Sequence, residues 1–191
     1  IMMNFNFNNP TNLYFGAGSL NKLSSLAMPG KKAMVLISNG KSTKENGYLG
    51  RTLEQLEKAG VQTAVFDKIM ENPIREVIME GAAFAREQNC DFIVALGGGA
   101  VLDSSIAISA MATNDGDLWD YVTGGTGKGQ PLVNKGLPIV TITTTAGTGS
   151  EMNCWGVISN LETKEKIGFG DPSLTPVIAI VDPELMLTVP P

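Results

Sequence analysis

Two stretches of this 191-residue sequence combine residue types that could hold an anion or a polar ligand. Gly97-Gly98-Gly99-Ala100-Val101-Leu102-Asp103 follows a continuously apolar run and leads into a mostly small, apolar stretch. Glycines remove the side chains that would keep a ligand away from the backbone, and the first N–H groups of a helix point at an anion. A phosphate or pyrophosphate suits such a position, while a plain sharp turn is the other reading of three glycines. Thr143-Thr144-Thr145-Ala146-Gly147-Thr148-Gly149-Ser150-Glu151 joins hydroxyl donors to two glycines. It could bond a ribose, an amide or a phosphate oxygen, and equally a Ser or Thr ahead of a Glu is an ordinary helix cap.

The elements that must position these residues alternate along the chain. Residues 3–7 and 11–15, joined at Asn8-Asn9-Pro10, read as a hairpin, because Pro presets φ for a turn. Ala33 to Ile37 reads as a strand, and Leu49, Leu53 and Leu56 then fall on one helical face that Gly60 stops. Val61 to Phe66 is the next strand, followed by Ile74, Val77, Ile78, Gly81 and Ala82 at helical spacing. Phe92 to Leu96 is apolar throughout, as a central parallel strand covered on both faces must be. A helix over about 100–112, strands at 138–143 and 177–181, and a hairpin from Trp155 to Phe169 complete the pattern. Strands alternating with helices predict an α/β fold: a doubly wound, Rossmann-like parallel sheet with helices on both faces and an N-terminal β-hairpin. Val189-Pro190-Pro191 reads as a domain edge, since neither helix nor strand continues through it.

Ligands of open α/β sheets lie beyond the carboxyl ends of the strands, which brings in a third loop, Ser38-Asn39-Gly40-Lys41-Ser42. An acid there holds the ribose 2′-hydroxyl of NAD and repels a 2′-phosphate, whereas small polar residues beside a Lys favour NADP. No acid occurs before Glu45. The alternative is a solvated loop with Lys41 and Lys44 facing water.

Several chemistries are excluded. There is no histidine, so no Ser-His or Cys-His pair can form and the commonest transition-metal ligand is missing. Asp115 to Asp120 lacks the spacing and terminal Glu of a calcium loop, which leaves a surface turn. Gly124 to Lys128 lacks the first glycine and the Ser or Thr of a P-loop, and no GxGxxG follows the first strand. A net charge of −5 without a cluster of Lys and Arg argues against nucleic acid as a partner. No apolar run reaches the roughly 18 residues of a membrane span, and the first residues do not form a signal peptide. Cys90 and Cys154 are read as buried free thiols in a reducing, cytoplasmic setting.

GGGAVLD at 97–103, TTTAGTGSE at 143–151 and VDPELMLTVPP at 181–191, in that order, resemble the iron-containing alcohol dehydrogenase family, nearest its butanol dehydrogenase and aldehyde reductase branch. The resemblance spans the chain from its NFNFNNPTNLYFGAGSL opening onward. It implies that residues 1–191 are an N-terminal NAD(P)-binding domain, followed in the intact protein by an all-helical domain carrying a divalent metal, iron or zinc. It places Gly97, Gly98, Gly99 and Ala100 at the pyrophosphate, with Ala100 replacing a more usual Ser, and Asp103 near the cofactor. Thr144, Thr145 and Thr148 fall at cofactor-contacting positions, Asn153 near the nicotinamide and Lys166 near its ribose. Ser38, Asn39, Gly40, Lys41 and Ser42 look like the NADP-preferring branch. The metal ligands of the family, an Asp and three His, fall beyond Pro191, so the chain by itself is expected to be inactive. The implied substrate is a small alcohol or aldehyde. A homodimer is expected through the edge of the N-terminal hairpin. Two rivals are a lyase domain like dehydroquinate synthase, from the same superfamily, and a stand-alone nucleotide-binding module.

Overall fold

The computed structural model describes residues 4–189. Along them run β1 (Asn12–Phe15), β2 (Lys32–Ser38), α1 (Ser42–Glu45), α2 (Tyr48–Lys58), β3 (Gln62–Ile69), α3 (Arg75–Glu87), β4 (Phe92–Gly97) and α4 (Gly99–Met111). After them come α5 (Leu118–Tyr121), β5 (Ile139–Thr143), β6 (Trp155–Asn160), β7 (Glu165–Gly170) and β8 (Ile178–Val181). Six strands form one parallel sheet in the order β1-β8-β5-β4-β2-β3, and β6 and β7 form a separate antiparallel hairpin.

The sheet has a core on each face because strand side chains alternate. Met34, Leu36, Ile93 and Ala95 point to the side covered by α3, α4 and the hairpin. Ala33, Val35, Ile37, Phe92, Val94, Leu96, Val140 and Ile142 point to the other, covered by α2 and the turn Ser19–Ser25. Every residue of β4 and β5 is buried, which explains why β4 is apolar throughout, while β5 buries Thr141 and Thr143 among its apolar residues with their hydroxyls hydrogen-bonded. The doubly wound arrangement expected from the alternating pattern is therefore present.

The N-terminal hairpin is not. Residues 4–10 carry no strand, and Met3 lies outside the described residues. β1 instead joins the sheet edge parallel to β8, with Asn12 opposite Ile178 and Phe15 opposite Val181. The Thr11 hydroxyl donates to the Pro176 carbonyl at 2.7 Å, and the Asn12 N–H to the Val177 carbonyl at 3.0 Å. The physical reason is that an isolated two-stranded hairpin buries too little to hold together, whereas the open edge of β8 offers a row of backbone groups to pair with. Pro190 and Pro191, read as a domain edge, lie outside the described residues. Cys154 is half-exposed and not the buried thiol expected of it, because it sits where the chain enters the hairpin and not inside a layer; Cys90 is buried as expected.

The strand order creates a switch point. From β2 the chain passes outward to β3 and then returns across β2 to β4, so connections leave the carboxyl ends of β2 and β4 in opposite directions. In open sheets that crevice is where ligands lodge.

Candidate functional site

Gly97, Gly98, Gly99 and Ala100 occupy one wall of this crevice. β4 ends at Gly97, and Gly98, in an extended conformation, precedes the first turn of α4 without any side-chain cap. That first turn carries no acidic residue. The leading N–H groups of the 13-residue helix thus have no intrahelical acceptor and no side chain takes them. A methyl group on Gly98 would stand 3.3 Å from Thr145 Oγ1, and one on Gly99 only 2.8 Å from Thr148 Cγ2. These two glycines are what let the threonine loop close over the helix terminus. Gly97 serves a different purpose: a methyl there would meet Val101 Cγ2 at 2.6 Å, so it allows α4 to start tightly against β4.

The threonine loop is fixed from below. Thr143 is buried and its hydroxyl donates to the Thr145 carbonyl at 2.8 Å, while the Thr144 N–H donates to the Gly97 carbonyl at 3.0 Å. Gly147 and Gly149 have φ of 130° and 70°, in the region that favours glycine. Ser150 then starts a short 3-10 turn whose N-cap is Gly149, and no side chain caps it, so the stretch is not a Ser or Thr helix cap.

Asp103 binds three elements together. Ser150 Oγ donates to its Oδ1 at 2.8 Å, and the Val157 N–H to its Oδ2 at 3.1 Å. Both carboxylate oxygens are thereby engaged, holding α4, the threonine loop and β6 at one spacing. Asn153 accepts from the Trp155 N–H at 2.8 Å and donates to the Gly149 carbonyl at 3.3 Å. Lys166 projects from β7 and donates to Asn72 Oδ1 at 3.0 Å, spanning from the hairpin to the loop after β3.

These residues bound two adjoining compartments, each of about 400 Å³, within the size of ligand clefts. One lies between Ser38, Asn39, Gly40 and Ser42 on one side and Gly98, Gly99, Ala100 and Thr145 on the other. The second continues past Gly99 and Ala100 to Asp103, Thr148, Asn153, Trp155 and Lys166. The structure therefore brings most of the expected positions to one continuous cleft. It does not bring Gly97, Lys41 or Thr144 to the lining of either compartment.

Glu71, Asn72, Pro73, Trp155 and Val157 also line the cleft and were not anticipated. The first three follow β3, which runs to Ile69 and not to Phe66. Asp67 and Lys68 look like the end of a strand, yet β3 is an edge strand with a solvated side and tolerates them. Following the rule of residues beyond strand ends one strand further would have found Glu71 and Asn72.

On the hairpin's inward side, Glu165 accepts from the Thr126 hydroxyl at 2.5 Å and its N–H at 2.8 Å, from the Thr163 hydroxyl at 2.6 Å and from Trp119 Nε1 at 3.1 Å. The hydrogen bonds from the Thr126 and Thr163 hydroxyls, in that order, hold its carboxyl down at about 2, against an ordinary 4.5. A folded value below the unfolded one means stabilisation that is complete above the ordinary value and disappears as pH falls through about 2. Glu165→Gln is accordingly expected to lower the thermal midpoint near neutral pH, with the difference from the parent narrowing between about 4.5 and about 2. Thermal unfolding across that range checks this, and a constant difference would contradict it. The same clamp holds the strand from which Lys166 projects on the opposite side.

Among the described residues, no three His, Cys, Asp or Glu side chains gather in a metal-binding arrangement. No helix among them is long and apolar enough to cross a membrane.

A profile of the family described as iron-containing alcohol dehydrogenase matches residues 10–183. A probable NADH-dependent butanol dehydrogenase of Bacillus subtilis is 43% identical over 99% of this chain and 48% of its own length. NADH-dependent butanol dehydrogenase A of Clostridium acetobutylicum is 33% identical over 99% of this chain and 47% of its own. The crystal structure of NADH-dependent butanol dehydrogenase A from Thermotoga maritima superposes with a TM-score of 0.87 at 32% identity, covering 99% of this chain and 46% of that one. An archaeal halo-thermophilic alcohol dehydrogenase from a Red Sea brine pool gives a TM-score of 0.90 at 34% identity, covering 100% and 49%. The chain spans about half the length of the curated relatives it matches.

Proposed function

The chain belongs to the iron-containing alcohol dehydrogenase family, and on that premise we propose that it is the nucleotide-binding half of an oxidoreductase acting on a small alcohol or aldehyde. The observation that carries this reading is the helix N-terminus at Gly98-Gly99-Ala100, capped by no side chain, placed at the sheet's switch point and closed over by hydroxyl-bearing Thr145 and Thr148. A dinucleotide fits it: the cradle is one that a Cβ would fill, and the cleft extends away from it in both directions.

In this reading the N–H groups at the start of α4 hold the pyrophosphate, since uncapped donors and the helix dipole both favour an anion. Thr144, Thr145 and Thr148 orient the cofactor, Thr144 through the backbone bond that sets the loop against Gly97. Asn153 and Lys166 bound the nicotinamide end, and Asp103 keeps α4, loop and hairpin at the spacing the ring requires. The bound nicotinamide supplies or accepts the hydride. We assign residues 1–191 to this domain and the metal to an all-helical domain that follows it. Among the described residues no side chains form a donor set for iron or zinc.

Ser38, Asn39, Gly40, Lys41 and Ser42 form an acid-free loop, which supports a preference for NADP(H). The names of the Bacillus and Clostridium relatives state NADH dependence and favour the second reading, NAD(H). Catalytic efficiency of the full-length protein with each coenzyme decides between them. We further place the protein in the cytoplasm on its two free cysteines, and as a homodimer on the edge strand β1, whose Phe15 is 72% exposed. Light scattering on the full-length protein should give twice the chain mass, and a monomer mass would remove the dimer.

The activity itself is tested by incubating the full-length, metal-loaded protein with butanal and NADPH or NADH. Net coenzyme oxidation in step with butanol formation is expected. Coenzyme binding without net oxidation would point to a lyase of the same superfamily, and no binding would end the proposal.

A further inference from the structure

Resting on the nucleotide-binding reading above, we propose that Glu71 is a specificity-determining residue: its carboxylate, beside Asn39 in the cleft, accepts from the ribose hydroxyls of NAD(H) and repels the 2′-phosphate of NADP(H). The acid that many dinucleotide sites carry at the end of their first strand is absent from the loop after β2. The neighbouring strand supplies one. β2 and β3 pair in parallel, with a one-residue register shift between Leu36 and Ser38 that sets Ser38 opposite Ile69, and the Asn39 N–H donates to the Ile69 carbonyl at 2.8 Å. Asn39 therefore lies one residue past that pairing and Glu71 two residues past it, on adjacent strands.

Glu71 and Asn39 line the same compartment opposite Gly98 and Gly99, and the two also share a small side cleft with Met70 and Ile74. Glu71 is exposed, and among the described residues no ion pair or side-chain hydrogen bond engages its carboxylate. Three nearby lysines are engaged elsewhere: Lys44 binds Asp67 at 2.5 Å, Lys68 binds Glu80, and Lys166 donates to Asn72. An uncompensated carboxylate facing a nucleotide is screened by water only until the nucleotide fills the cleft. A 2′-phosphate brings nearly two negative charges into that space, whereas ribose hydroxyls bring donors.

The test is the ratio of NADPH to NADH, in dissociation constant and in catalytic efficiency, for the full-length protein and its Glu71→Gln and Glu71→Lys variants. The ratio is expected to move toward NADPH by about tenfold in Glu71→Gln, equivalent to ~1.4 kcal/mol, and further in Glu71→Lys. NADH affinity should fall as NADPH affinity rises. Saturable binding with a ratio that does not move overturns the role of Glu71 alone. Loss of saturable binding of both coenzymes by the unmodified protein overturns the nucleotide site and this assignment with it.

Discussion

Replacing Gly99 by valine is expected to leave the chain folded while raising the dissociation constant for the dinucleotide about hundredfold, or ~2.7 kcal/mol. A Cβ at this position stands 2.8 Å from Thr148 Cγ2 and 3.4 Å from Thr148 Cβ and Oγ1, all belonging to an exposed loop residue that can move aside. Relief of the clash is therefore inexpensive for the fold. The same movement carries the threonine loop off the helix terminus, and the valine side chain then occupies the approach to the N–H groups of α4. Circular dichroism and thermal unfolding should match the parent, while nicotinamide fluorescence should fail to saturate at concentrations that saturate the parent.

Gly156→Ala is expected to act in the opposite sense, on stability first. Its new methyl would lie 2.6 Å from the Asp103 carbonyl oxygen and 3.0 Å from the Asp103 carbonyl carbon and Cα. All three are backbone atoms in the middle of α4, so no side chain can rotate away. The hairpin has to lift, with a cost of ~1–3 kcal/mol typical of overpacking. For a chain of this size that lowers the thermal midpoint by roughly 2–4 °C per kcal/mol. Lifting β6 also stretches the 3.1 Å bond from the Val157 N–H to Asp103, so weaker coenzyme binding should accompany the loss of stability. A thermal midpoint equal to the parent's would mean that the hairpin is not seated on α4 as described.

What could be read from sequence follows from where the information is local. β4 and the start of α4 were legible because a buried central strand is apolar at every position and a glycine run marks where it ends. The hairpin expected from Trp155 to Phe169 is present as β6 and β7, a pairing within one short segment. The N-terminal error has the same origin: alternating Phe and Asn looks like a strand, yet Phe5 and Phe7 are 84% and 82% exposed and residues 4–10 pair with nothing. What positions β1 is a set of bonds to Pro176, Val177 and Val181, more than 160 residues away, and nothing in the local pattern announces it. Glu165 is a similar case, since its partners Thr126 and Trp119 are brought to it only by the path of the chain around α5. At the cleft, the glycine and threonine positions were visible by residue type. Glu71 and Asn72 were hidden because an edge strand keeps polar residues that elsewhere would mark its end.

The central claim, that the bare N-terminus of α4 holds a dinucleotide's pyrophosphate, is tested most directly by titrating NADPH and NADH into the full-length protein and into its Gly99→Val variant while following nicotinamide fluorescence. A saturable change with at least one coenzyme, lost in a variant that remains folded, is the predicted result. No saturable change in the parent, or an unaltered one in Gly99→Val, would contradict it.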